Sequence, residues 1–111
     1  MTFLYLNSDK MGEGNADLGR KLLKSFLTKL ADSNTQIDII GCVNSAVNLT
    51  TEGSDLIDTF KIFEQEGTRI ASCGTCLDHL KLRDKLLIGE IGKMEDTIQI
   101  MTMADKIIRP N

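Results

Sequence analysis

The sequence predicts an α/β fold, an open and mostly parallel five-stranded sheet with helices on both faces. Two observations carry that reading. Short apolar runs alternate with helix-length segments four times, and the chain closes on a last apolar run. Helical crossovers of that length favour parallel pairing with right-handed connections. Each run also ends in a loop rich in Gly, Asn, Ser or Thr, and in open parallel sheets ligands bind outside the carboxyl ends of the strands.

The elements follow in order. Phe3-Leu4-Tyr5-Leu6 is a buried strand ended by the turn formers Asn7, Ser8 and Asp9. Gly12 and Gly14 give a flexible loop, and Asn15 is an N-cap with Asp17 in the first turn. Leu18, Leu22, Phe26 and Leu30 recur at i+4, flanked by Leu23 and Leu27, which predicts a helix over 16–31 with that stripe inward. Ile37 to Val43 is the second strand, and a polar loop over 44–52 leads to a helix over 53–66. Leu56, Ile57, Phe60 and Phe63 form its inner face, and Gly67 is its stop. Thr68 to Ser72 is the third strand. After Cys73-Gly74-Thr75-Cys76 comes a short helix through Leu77, Leu80 and Leu82. Leu86 to Gly89 is the fourth strand. Met94 to Met103 is a helix with Ile98 and Met101 inward, and Ala104 to Ile108 is the fifth strand. The 111 residues fit a single domain, 1–111, with no linker or repeat.

Charge narrows the partners. The formal net charge is −3, so no overall positive field draws nucleic acid or anionic lipid. The opening apolar run lacks a basic lead and is too short for a signal peptide or membrane span, which makes the cytoplasm the expected compartment. There Cys42, Cys73 and Cys76 are expected as free thiols rather than a disulfide framework. Cys42 lies inside an apolar run and reads as a small hydrophobe.

The Cys73–Cys76 turn is different. It falls where the third strand meets the next helix, and four loops (7–15, 43–52, 72–76 and 89–93) are expected at that edge of the sheet. With Cys73 as N-cap, the N–H groups of Thr75 and Cys76 face its sulfur. Helix N-termini and Cys-x-x-Cys turns favour the thiolate, the form that attacks. Cys73 is therefore the favoured nucleophile or carrier, and Cys76 the resolving thiol or second acceptor. His79 follows three residues later and is a candidate partner, although a lone helical His is also an ordinary surface residue.

Other readings of the same residues are weaker. A structural zinc site needs four ligands, and one Cys pair with one His supplies them only if Cys42 joins, so no metal is expected. A thioredoxin-like site opens a helix in the same way, but usually near the start of the domain and opposite a cis-proline, whereas the only proline here is Pro110. Gly12 and Gly14 do not complete a dinucleotide fingerprint, because Asp17 stands where the third glycine belongs. No cofactor is expected.

Three stretches carry a resemblance. Asn7-Ser8-Asp9 with Met11-Gly12 and Leu18-Gly19, then Asn44 with Val47 and Leu49 to Ser54, then Ser72 to Leu77, resemble the DsrE-like domain of YedF-type selenium-metabolism proteins. The similarity runs in order over nearly the whole chain. It implies a DsrE-like, sulfurtransferase-type fold that often forms homo- or hetero-oligomers. Better understood relatives relay sulfur as a cysteine persulfide on a thiol after the third strand, and Cys73 matches that position. The resemblance thus implies transfer of sulfur or selenium between donor and acceptor proteins, with Asn7, Ser8, Gly12, Asn44, Thr75 and His79 in support. YedF proteins also carry an N-terminal sulfur-carrier-like domain that has no counterpart in these residues. The alternative function is a non-enzymatic oligomeric module in which a reversible Cys73–Cys76 disulfide switches partner docking.

Overall fold

The computed structural model describes residues Met1–Asn111. Five strands, β1 (Thr2–Leu6), β2 (Ile39–Cys42), β3 (Arg69–Cys73), β4 (Glu90–Gly92) and β5 (Lys106–Ile108), form one sheet in the order β4-β3-β2-β1-β5. Every pairing is parallel. Four α-helices connect them: α1 (Ala16–Asp32), α2 (Ile57–Gln65), α3 (Gly74–His79) and α4 (Met94–Met103). No helix is long and apolar enough to cross a membrane.

The strand order explains the two unequal faces. With right-handed crossovers, the outward steps from β1 to β4 place α1, α2 and α3 on one face. The return from β4 to β5 carries α4 across the other. Side chains alternate along each strand, so the even positions Leu4, Leu6, Ile40, Cys42 and Ile70 point to the three-helix face. There they form the main core with Leu23, Leu27, Phe60, Phe63 and Leu77. Odd positions, including Phe3, Tyr5, Ile39, Ala71 and Cys73, line a groove under α4. Gly41 sits in that series because the Phe3 ring occupies the space a Cβ would need, 2.9 Å away.

Several expected details change. Asn15 does cap α1, accepting from the Leu18 N–H at 2.8 Å. The buried stripe, however, is Gly19, Leu23, Leu27 and Ala31. Leu18 and Leu22 are 55% and 44% exposed, while Phe26 and Leu30 only flank the core. The reason is Gly19, whose missing side chain lets α1 rest against Lys10 and Met11 and turns the helix by one residue. In α4 the expected inward residue Ile98 is 61% exposed, and Ile100 lines the groove instead.

The fourth strand is not Leu86–Gly89. That segment pairs antiparallel with the polar loop through a Thr51–Leu86 bridge, with Glu52 N–H to Lys85 O and Leu87 N–H to Thr50 O both at 2.9 Å. The sheet takes up the chain only at Glu90. Gly89 makes the change of direction at φ +82°, its Cα so close to Ile70 O that a Cβ would lie 2.6 Å from it. Consequently 89–93 is not a loop leaving a strand end; only the chain from Lys93 onward is. The 44–52 stretch is likewise partly ordered, as a 3-10 helix over Asn44–Leu49. The second helix starts at Ile57 rather than 53, with Leu56, Phe60 and Phe63 buried as expected.

Candidate functional site

β3 ends at Cys73 and α3 begins at Gly74, with no residue between them. Cys73 has the extended backbone of an N-cap (φ −61°, ψ 122°), and its Sγ accepts the Cys76 N–H at 3.4 Å. The Thr75 N–H, expected as a second donor, makes no such bond to it. Gly74 permits this tight join: a Cβ there would stand 3.0 Å from both Arg83 and Ile91.

Cys76 lies one turn on and is anchored from a different element. The backbone N–H of Asn44, at the start of the 3-10 helix after β2, donates to Cys76 Sγ at 3.1 Å. Asn44 holds a left-handed backbone, φ +54°, to present that group. Burial, and then a hydrogen bond with Cys73, push the Cys76 thiol above its ordinary value, while the Asn44 N–H pulls it down. Cys42, on the opposite face, is fully buried in the core, and desolvation pushes its thiol up to about 12. All three cysteines are free thiols.

The two turn cysteines border different spaces. Cys76 opens with Asn44, Thr75, His79 and Leu80 onto a surface cleft of about 230 Å³. Cys73 lines the groove under α4, where free space is only about 30 Å³, beside Tyr5, Gly92, Lys93 and Met94. That is room for one or two water-sized groups. Lys93, Met94 and Tyr5 lie beyond any local motif around the turn; the period-two side-chain alternation of β1 and β3 is the signal that points to Tyr5 beside Cys73.

The six expected supporting residues split accordingly. Asn44, Thr75 and His79 gather around Cys76, whereas Asn7, Ser8 and Gly12 border neither space. The Asn7 N–H is taken by Asn111 Oδ1 at 3.0 Å, and Asn111 Nδ2 donates to the carbonyls of Ser8 (2.8 Å) and Lys10 (3.1 Å). The Ser8 hydroxyl accepts from Lys10 N–H at 3.0 Å. Gly12 is exposed at φ +83° with open space around it. These residues shape the loop after β1 and are tied to the end of the chain. No group of three or more His, Cys, Asp or Glu side chains is placed to hold a metal ion.

Beneath the turn, buried Ser72 meets buried Thr50 at 2.7 Å, and Thr50 donates in turn to Val47 O at 3.2 Å. This pair fixes the 44–52 segment, and with it Asn44, against β3.

Residues 4–110 match the DsrE/DsrF-like family. The chain belongs to that family. Its fold is shared by two solved structures. One is the YchN protein from E. coli, at 18% identity and TM-score 0.65, with 98% of this chain and 99% of that one covered. The other is MTH1491 from Methanobacterium thermoautotrophicum, titled a protein of unknown function, at 20% identity and TM-score 0.69, with 98% and 97% covered. No curated protein matches the sequence.

Proposed function

We propose that this DsrE/DsrF-like protein is a sulfur carrier that holds sulfane sulfur as a persulfide on Cys73. The observation that carries the reading is the half-exposed Cys73 sulfur at the carboxyl edge of a parallel sheet, accepting a backbone N–H and standing beside a second thiol. A thiolate there attacks the outer sulfur of a donor persulfide or polysulfide. The donor's S–S bond breaks, the donor leaves as a thiolate, and Cys73 keeps one extra sulfur. Thiol exchange of this kind needs no metal or cofactor.

The finer points belong to the same proposal. The YedF-like motif Ser72-Cys73-Gly74-Thr75-Cys76-Leu77 favours that branch of the family and admits selenium as cargo. Free thiols suit a reducing compartment such as the cytoplasm. Donor and acceptor proteins dock at the strand-end edge, and the exposed apolar side chains Ile91, Met94, Ile98 and Met103 around α4 support self-association.

The test is loading with inorganic polysulfide followed by intact-mass measurement. Wild type that neither gains sulfur nor releases sulfide, or Cys73→Ser that loads as well as Cys76→Ser, would refute the assignment. A disulfide-switch module instead predicts a change of assembly on oxidation with no sulfur ever carried.

A further inference from the structure

We infer that Cys76 discharges the sulfur carried on Cys73, releasing it as hydrosulfide and leaving a Cys73–Cys76 disulfide. This rests on the persulfide reading above and assigns that site a second, reductive activity.

Three observations lead there. Cys76 is the nearest thiol to Cys73, and its own N–H reaches the Cys73 sulfur at 3.4 Å. The space beside Cys73 under α4, about 30 Å³, takes a sulfur atom and excludes a second protein's thiol from that side. Cys76 Sγ is fixed in place by the Asn44 N–H, which also stabilises the thiolate as it forms. An intramolecular thiol held in position outcompetes a dilute external one because its orientation is already fixed.

The step balances within the chain. Cys76 gives up its proton, and its sulfur attacks the inner sulfur of the persulfide, Cys73 Sγ. The bond between Sγ and the outer sulfur breaks. The outer sulfur takes that electron pair and the proton and leaves as HS⁻. It is reduced, and the Cys76 sulfur is oxidised into the new disulfide. An external dithiol reductant then restores two thiols for another round. Attack on the outer sulfur is the competing path; it moves the cargo to Cys76 and releases no sulfide.

The experiment compares the reduced full chain with Cys76→Ser and Cys73→Ser after exposure to inorganic polysulfide and removal of the excess. Intact mass and alkylator-trapped sulfide are the readouts. Cys76→Ser is expected to hold a mass increase of about 32 Da, one sulfur atom. Wild type is expected to end about 2 Da below its reduced mass, the signature of one disulfide, with about one more sulfide per chain than Cys76→Ser releases. Wild type that keeps the added sulfur and releases no sulfide overturns the discharge step and leaves the carrier reading intact. If Cys76→Ser gains no sulfur and wild type neither gains it nor releases sulfide, the carrier reading itself fails.

Discussion

The backbone N–H of Asn44 points at the sulfur of Cys76, 3.1 Å away, from a left-handed residue 32 positions earlier in the chain. That conformation costs a β-branched residue about 1–2 kcal/mol, and glycine almost nothing. Asn44→Val is therefore expected to lower stability by about 1–2 kcal/mol in urea unfolding, with Asn44→Gly within about 0.5 kcal/mol of wild type. Equal loss in both would mean that the Asn side chain, and not the backbone, supports the turn.

The Thr50–Ser72 pair is the second support of the site. Thr50→Val leaves the buried Ser72 hydroxyl without its partner, at a cost of about 1–3 kcal/mol. Removing both hydroxyls in Thr50→Val/Ser72→Ala is expected to recover part of that loss. A double-mutant cycle in chemical denaturation reads the coupling directly, and strict additivity would contradict it.

Burial of Cys42 gives the fold a dependence on alkaline pH. Its folded value is raised from 9.0 to about 12, so the folded state keeps a proton that the unfolded chain has lost. Its contribution is complete below pH 9 and falls away as pH rises toward 12, with a slope of at most about 1.4 kcal/mol per pH unit. Cys42→Ala loses some packing at every pH, but its stability should decline less steeply than wild type between pH 9 and 11. Parallel profiles would show that another group titrates.

Asn111 ties down three backbone groups of the loop after β1. Asn111→Ala is expected to destabilise by about 1 kcal/mol and to speed hydrogen exchange at the Asn7 amide. Unchanged exchange there would place the protection elsewhere in the loop.

The elements, their parallel pairing and the position of the cysteine turn were legible from apolar periodicity and turn residues. What periodicity hid has local causes. Six apolar residues between 18 and 30 left α1 free to rotate by one position, and the contact of Gly19 with Lys10 and Met11 fixes it. Leu86, Leu87 and Ile88 look like a strand and do pair, but with the loop at 50–52 rather than with the sheet. The separation of Cys73 from the Cys76 cleft depends on α4 crossing the second face. Nothing near the turn encodes that. The grouping of Asn44, Thr75, Cys76 and His79, by contrast, follows from neighbouring parallel strands bringing their end loops together.

The pairing of β1 with β5 also sets the order in which this chain becomes safe from aggregation. β1 and β2 are made early, yet the other edge of β1 is covered only by Lys106–Ile108, about a hundred residues later. During synthesis, an apolar strand with unpaired backbone groups stays open to neighbouring nascent chains. Closing so long a loop adds a slow, entropically unfavourable final step. Pairing with Lys106–Ile108 thus turns β1 from an edge strand into an interior one, and a chain released near residue 100 leaves the apolar edge of β1 unpaired.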